Sequence, residues 1–197
     1  MRVESEKTRG LLRRLVPAHA LAGISVGQIE SDTLPNCTLL HISVEGLQFA
    51  GRPGAARALG ELHKLFCKFD ALCAAMGAHK VCSRGTAYTL MGYGGGTADE
   101  RGQCPYAIGE AARVVRIGLE ALELLKRARA SHESNHTLQR MRLRVGIHSG
   151  TVHGRVVGSG IVQYDIAGPD VGVTRDVSAA SPPGRCTVSQ ATVALLQ

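Results

Sequence analysis

The chain has 197 residues, 44% of them apolar, which is enough to bury one ordinary hydrophobic core and lies within the size range of a single domain. Lys and Arg outnumber Asp and Glu by 23 to 16, giving a formal charge of +7, but the basic residues are scattered along the chain. Scattered charge and an aromatic content of 4% argue against nucleic-acid binding, because such sites combine a basic groove with aromatic stacking platforms.

The six cysteines form no Cys-x-x-Cys pair, and most lie in apolar segments, a pattern typical of reduced cytosolic thiols. No apolar run reaches the ~20 residues of a membrane-spanning helix. Charged residues follow Met1, where a signal peptide would need an apolar core. We therefore expect a cytoplasmic location and no membrane span within the chain.

Two segments are predicted. Residues 1–35 form an N-terminal helical and linker segment, whose apolar stripe is Leu11, Leu12 and Leu15, and residues 36–197 form the domain. Because the chain stops within an apolar run, we expect the domain to be truncated at its C-terminal end. The chain is then part of a larger protein, and a missing flank is where a membrane anchor would lie.

The first half of the domain predicts one strand, one helix and a hairpin. After a loop that contains Pro35, residues 37–46 predict a central strand bounded by turn-forming residues. Residues 54–77 predict a helix that ends at Gly77. Its apolar stripe, at spacings of three and four, is Leu59, Leu62, Phe66, Phe69, Cys73 and Met76. The runs HKVCSR and TAYTLMGY then predict two strands joined at Gly85.

A second long helix follows a loop. The glycine-rich, charged stretch from Gly94 to Gln103 has no periodicity and predicts a loop. Pro105 suits the first turn of a helix that reaches about Ala130. The predicted buried face is Ile108, Ala111, Ala112, Val115, Leu119, Leu122 and Leu125.

The last third predicts short strands and two helices. RLRVGIHSG, TVHGRVVG and IVQYDIAG are predicted as three strands punctuated by glycines, and the hairpin from Gly146 to Gly158 is expected to carry the contacts with a partner domain. A helix near 170–180, a Pro-Pro-Gly turn and a strand-helix pair at 185–197 complete the chain. This order predicts an α/β (α+β) fold, with a ferredoxin-like, mostly antiparallel sheet covered by helices on one face.

Two long stretches resemble the signature halves of the class III adenylyl and guanylyl cyclase catalytic domain. They are LGELHKLFCKFDALCAAMGAHKVCSRGTAYTLMGY and RVGIHSGTVHGRVVGSGIVQYDIAG, and SPPGRCTVSQATVALL is similar to the family's closing strand and helix. The resemblance implies a head-to-tail pair of domains with two composite sites at their interface. One partner supplies two aspartates that hold Mg²⁺ or Mn²⁺, and the other supplies base-selecting residues with an Asn and an Arg that stabilise the transition state of ATP or GTP cyclisation.

The two metal-binding positions implied by this resemblance are Ser43 and Thr86, and neither is an acid. Hard divalent metals need carboxylate oxygens, for which neutral hydroxyls are poor replacements. Glu45 is the only acid near Ser43, and alternate strand residues share a face, so Glu45 is the one candidate metal ligand. The alternative is that Glu45 is an ordinary acid at a strand end.

The base-selecting positions implied by the resemblance are Cys82, where the family has Lys or Glu, and Asp165, which is retained. Asp165 either bonds an adenine amino group or is a structural acid between strands. The transition-state Asn and Arg correspond to Gly172 and Asp176. Arg175 is adjacent, but one residue turns a helix by ~100°, so we expect its side chain to point away from the lost position.

Other residue pairs favour structural interpretations. His132 with His136 and His148 with His153 suggest a metal site only by spacing, since no further ligand accompanies them. His63 and Cys67 share a helix face, where an edge-of-core role is the simpler interpretation. Residues 94–96 are three glycines without the Lys-Ser or Lys-Thr ending of a phosphate loop.

The sequence therefore predicts a catalytically inactive cyclase-homology domain with a dimerisation or regulatory role in cyclic-nucleotide signalling. Its expected partner is a second copy or another cyclase domain, and no cofactor is expected. The alternative is half of a composite adenylate or guanylate cyclase, with Mg²⁺ or Mn²⁺ supplied through a partner domain.

Overall fold

A computed structural model describes residues 16–17, 20, 31–94, 105–157 and 163–197. The predicted apolar stripe at 11–15 and residues 95–103 of the predicted loop lie outside this part of the chain, and those predictions stay predictions. The strands are β1 (Asp32–Glu45), β2 (His79–Arg84), β3 (Ala87–Gly92), β4 (Arg142–Val157), β5 (Gln163–Ala167) and β6 (Arg185–Val188). The helices are α1 (Gly51–Met76), α2 (Pro105–Ser131), α3 (His136–Arg140), α4 (Pro169–Ala180) and α5 (Gln190–Leu196).

The strands form one mostly antiparallel sheet in the order β2-β3-β1-β4-β5, and β6 pairs in parallel with β4. This confirms the predicted α/β sheet covered by helices, with β1 in its centre. None of the helices within the described residues is both long and apolar enough to cross a membrane.

Each face of the sheet carries its own apolar cluster, because successive strand residues point to opposite faces. Leu40, Ile42 and Val44 of β1 pack with the buried residues of α1 and α2. Cys37 and Leu39 point the other way, into a cluster that includes Val171 of α4. The prediction that all helices cover one face is therefore wrong for α4, which lies on the opposite face from α1 and α2.

Strand β1 begins earlier than its apolar pattern predicts. It starts at Asp32, and Pro35 lies inside it at a register shift between Leu34 and Cys37, where Asn36 has a φ of 54°. A proline lacks the N–H that the ladder needs, so a bulge is one of the few places in a strand where it is accepted. The predicted loop around Pro35 is a bulge.

Strand β4 is one continuous strand of 16 residues and not two strands joined by a turn at Gly150. Its glycines are places of close approach. A Cβ atom at Gly146 would lie 2.2 Å from the Ser178 backbone nitrogen, and one at Gly150 would lie 2.3 Å from Asp170 Oδ2. The hairpin predicted across residues 146–158 is therefore a single strand through Val157, and residue 158 lies outside the described part.

The buried faces of both long helices differ from their predicted stripes. On α1, Gly77 ends the helix at a φ of 70° as predicted, but Leu59 is 55% exposed. On α2, Ile108 and Leu119 are exposed, at 40% and 52%. Of the predicted face, Ala111 and Leu125 are buried, and the other buried apolar residues of α2 are Ala107, Val114, Ile117, Ala121 and Ala128. Small side chains let α2 approach the sheet closely, as at Gly118, where a Cβ atom would lie 3.1 Å from Leu40 Cδ1.

Candidate functional site

The structure brings Ser43 and Thr86 together. Ser43 pairs with Ala87 of β3, and the Val44 N–H donates to the Thr86 carbonyl oxygen at 3.0 Å. The β2–β3 turn thus lies beside the end of β1, with both half-buried side chains at one edge of the sheet. Within the described residues, no group of three or more His, Cys, Asp or Glu side chains is placed to hold a metal ion.

Glu45, the one candidate metal ligand, is held by an arginine. Its carboxylate accepts from Arg144 Nε at 2.5 Å, and the same guanidinium donates to the carbonyl oxygens of Ala179 at 3.2 Å and Ser181 at 2.7 Å. Arg144 therefore ties the end of β1 to the C-terminal end of α4. A carboxylate whose charge is already balanced by a guanidinium is a poor ligand for a divalent cation.

Cys82 lies in a row of side chains that crosses the sheet. A bulge between Lys80 and Cys82 brings Cys82 opposite Thr89, which in turn lies opposite His41. Thr89 Oγ1 and His41 Nδ1 are hydrogen-bonded at 2.9 Å. This row lies on the face that carries α4. Burial lowers the pKa of His41, and the positive charge of Arg175 lowers it further.

Asp165 lies on the exposed side of β5, directly opposite Arg155. Its carboxylate accepts from the neighbouring Ile166 N–H at 2.9 Å. The residues on either side, Tyr164 and Ile166, point into the apolar cluster against which Cys82 packs. Within the described chain Cys82 therefore faces inward and Asp165 faces outward.

Gly172 and Asp176 lie one turn apart on α4. Asp176 is exposed, and a Cβ atom at Gly172 would meet nothing within 4 Å. Both positions are therefore open to solvent or to a partner. The intervening Arg175 is also exposed, and its charge acts on His41 across the gap between α4 and β1.

Sequence reasoning missed a partly buried chain of polar groups, centred on the buried His148, that fixes α4. Asp170 Oδ2 accepts from the Thr151 N–H at 2.7 Å, and Asp170 Oδ1 lies 3.2 Å from His148 Nε2. His148 Nδ1 is 2.8 Å from Ser189 Oγ, which caps α5. An acid directly after a Gly-Pro pair at the start of a helix was the available signal.

Of the three remaining residue pairs considered in the sequence, one is in contact and two are not. His148 lies in the chain just described, whereas His153 points to the other face and bonds Thr33 Oγ1 at 3.2 Å. His132 bonds the Ala128 carbonyl oxygen instead of His136. His63 Nε2 and Cys67 Sγ do lie 3.6 Å apart, on the exposed side of α1.

Comparison with known proteins places this geometry in a family. The pattern of the Adenylate and Guanylate cyclase catalytic domain matches residues 29–197. Guanylate cyclase alpha of Plasmodium falciparum (isolate 3D7) is 28% identical over 182 residues, covering 91% of this chain and 4% of that protein. The Guanylate cyclase soluble subunit alpha-1 of Canis lupus familiaris is 25% identical over 196 residues, covering 98% of this chain and 26% of that protein. The chain thus spans only a minor part of these relatives.

Solved structures share the fold. The adenylyl cyclase CyaB from P. aeruginosa superposes with a TM-score of 0.70 at 16% identity, over 85% of this chain and 83% of that one. The guanylate cyclase domain of RhGC from Catenaria anguillulae in complex with GTP gives 0.65 at 20% identity, over 84% of each chain. From the family pattern and the shared fold together, this chain belongs to the adenylate and guanylate cyclase catalytic-domain family, the class III nucleotide cyclases.

Proposed function

We propose that this chain is a noncatalytic cyclase-homology domain that acts by pairing with a second copy or with another cyclase domain, in a regulatory role in cyclic-nucleotide signalling. The observation that carries the proposal is the edge formed by Ser43 and Thr86. The fold holds these two positions side by side, yet the edge lacks the carboxylates that would hold a divalent metal ion there.

The second half of the family's apparatus is also changed. Gly172 offers no side chain, and Asp176 places a negative charge where the family has the arginine that faces the phosphates. Loss of one electrostatic stabiliser commonly lowers turnover by about a hundredfold to a thousandfold. Without the two metal-binding carboxylates and the Asn and Arg side chains, a pair of these chains has neither metal activation of the attacking hydroxyl nor charge stabilisation of the leaving group.

The side chains at the family's site positions also determine which metal ions and which nucleotide groups the domain can bind. If the domain acts in an active pair, the residues that hold Mg²⁺ or Mn²⁺ belong to the partner, because Ser43, Thr86 and the paired Glu45 do not supply a metal site. Asp165 remains available at the exposed side of β5 for a nucleotide base. We propose a cytoplasmic location.

The test is a cyclase assay with ATP and GTP, each in Mg²⁺ and Mn²⁺, on the purified chain whose mass in solution is measured alongside. We expect a dimer and no cyclic nucleotide. The matched control is the quadruple variant Ser43→Asp, Thr86→Asp, Gly172→Asn and Asp176→Arg, which restores all four side chains. Product formed by the unmodified chain alone would overturn the proposal.

A second candidate is half of a composite cyclase, and it is favoured by one finding. Several similar proteins are by name subunits, the Guanylate cyclase soluble subunit alpha-1 of Canis lupus familiaris among them. In this case the chain contributes Asp165 and its interface to an active partner. Mixing the chain with an intact cyclase domain separates the two candidates: higher turnover per intact domain favours the composite enzyme, and unchanged or lower turnover favours the noncatalytic domain.

A further inference from the structure

A polar cleft lies at the end of the sheet, beyond the end of β1, and begins at Gly46, directly after Glu45. Its volume is about 660 Å³, within the range of about 300–1,000 Å³ usual for small-molecule sites. The loop after β1, the first turns of α1 and the segment around α3 line this half-open cleft. Its lining residues are Gly46, Gln48, Arg57, Ser134, Asn135, His136, Thr137 and Arg140.

The side chains that line the cleft include three basic groups and no carboxylate. Arg57 and Arg140 contribute guanidinium groups from two different elements, and His136 adds an imidazole. Arg140 is steadied by Gln48, whose side-chain oxygen accepts from its guanidinium at 2.5 Å. Arg57 is exposed, and no hydrogen bond or ion pair joins it to another described residue. A planar guanidinium with free N–H groups is suited to bind phosphate with two parallel hydrogen bonds.

The frame of the cleft is fixed by backbone packing. Gly46 has a φ of 81°, and a Cβ atom there would lie 2.0 Å from the Arg140 carbonyl oxygen, so the β1 end and the α3 end are in direct contact. Asn135 caps α3 by accepting from the Leu138 N–H at 3.1 Å. The β1 and α3 walls of the cleft are therefore held at a set distance before any ligand arrives.

We propose that this cleft binds a small phosphorylated polyol, such as an inositol phosphate or a sugar phosphate. The two arginines take the phosphate oxygens, and the Ser134 and Thr137 hydroxyls with the Gln48 side chain take the polyol hydroxyls. Aliphatic side chains and the large aromatic rings of Phe, Tyr and Trp are absent from the lining, which disfavours a flat nucleobase. The cleft is lined by none of the residues on which the proposed function depends, so the two proposals can be tested independently.

The experiment is calorimetry on the unmodified chain with inositol 1,4,5-trisphosphate, inorganic pyrophosphate and uncharged inositol. A separate arm measures cosedimentation with phosphatidylcholine vesicles that contain phosphatidylinositol 4,5-bisphosphate. The site variant is Arg57→Gln with Arg140→Gln. The control is Lys68→Gln with Arg116→Gln, two exposed cations elsewhere, which removes the same charge. Thermal melting of both variants checks folding, and Arg57→Gln alone serves if the double variant is unstable.

We expect the trisphosphate to bind, uncharged inositol not to bind, and each lost arginine to weaken binding by about tenfold or more. The control should bind like the unmodified chain. Binding in solution without vesicle binding identifies a soluble ligand, and vesicle binding lost in the site variant identifies a lipid headgroup. No trisphosphate binding, or equal weakening in the site variant and the control, would overturn the proposal, because the latter means attraction to the overall positive charge.

Discussion

Ser43 lies directly beside the turn that carries Thr86, with the neighbouring Val44 N–H donating to the Thr86 carbonyl oxygen at 3.0 Å. Two carboxylates placed at these positions would therefore share one edge of the sheet. We predict that Ser43→Asp with Thr86→Asp creates Mn²⁺ binding that the unmodified chain lacks, measured by calorimetry. The control is Ser43→Asn with Thr86→Asn, which has similar shape without charge. Equal Mn²⁺ binding by the control, or none by the aspartate variant, would contradict the role assigned to this edge.

Gly146→Ala is predicted to destabilise the fold. The added methyl group would lie 2.2 Å from the backbone nitrogen of Ser178, so α4 or β4 must shift. Overpacking of this kind commonly costs about 1–3 kcal/mol in the free energy of unfolding. Gly60→Ala in α1 is the matched control, because nothing lies within 4 Å of its new methyl group, and alanine in a helix stabilises by about 0.5–1 kcal/mol. Urea denaturation of both variants should therefore show shifts of opposite sign.

Arg144→Gln should cost more stability than Glu45→Gln. Glu45→Gln removes one partly exposed ion pair, which contributes about 0–1 kcal/mol to the free energy of unfolding. Arg144 also donates to the carbonyl oxygens of Ala179 and Ser181, so its loss leaves the end of α4 without those bonds. Chemical denaturation of the single variants and the double variant gives the coupling energy. A larger loss for Glu45→Gln would show that the carboxylate has another role.

The environment of His41 predicts a pH dependence of stability. Burial, and next the charge of Arg175, lower its pKa below the ordinary 6.5, so the unfolded chain binds a proton more readily than the folded one. Stability should therefore fall as the pH drops through 6.5 toward the lower pKa of the folded state. Glu110 contributes to the pH dependence in the opposite direction. Burial raises its pKa, so its contribution to stability decreases as the pH rises.

The His41 contribution can be isolated by comparing variants. His41→Gln should flatten the fall in stability below pH 6.5, and Arg175→Gln should raise the pKa of His41, followed by NMR titration of the imidazole. Arg116→Gln, an exposed arginine on α2, is the control. An unchanged His41 titration in Arg175→Gln would show that the two charges do not interact.

Much of the fold follows from residue patterns, but the details of packing do not. The central strand and the helix that ends at Gly77 are marked by alternation and by a C-terminal glycine. The buried face of α2 is not marked, because apolar residues occur on more than one side of that helix, and only contact with the sheet selects Val114 and Ile117 over Ile108 and Leu119. Gly150 was predicted to end a strand, but it lies inside β4, where α4 approaches closely. The sequence around a glycine is the same in both cases, so the pattern could not distinguish them.

The candidate site shows the same division. The resemblance to cyclases predicts Ser43 and Thr86 as the metal positions, and this assignment stays a prediction, while the structure places the Thr86 turn beside Ser43. The pairing of Glu45 with Arg144 could not be predicted, since the two residues are 99 positions apart and the sequence contains 23 Lys and Arg residues as candidate partners. A contact at that distance depends on strand register, which only the assembled sheet defines.

Cysteine labelling should follow burial. Cys67 is exposed, whereas burial, and to a lesser extent the charge of Glu110, raises the pKa of Cys37 to about 12, and burial raises that of Cys186 to about 11. Because the thiolate is the reactive form, iodoacetamide at about pH 8 should modify Cys67 first among the cysteines that the structure describes. Mass spectrometry of labelled peptides reads this out, with Cys67→Ser as the control. Early labelling of Cys37 would mean that β1 opens at its bulge.

The glycines of β4 also constrain how the molecule assembles. Gly146 and Gly150 are four residues apart and meet Ser178 and Asp170, which are eight residues apart on α4. If β4 paired with β1 one residue out of place, a larger side chain would occupy each of these positions and α4 could not dock. The docked position of α4 is therefore compatible only with the native register of β4, because a one-residue slip would produce steric clashes at both glycine positions.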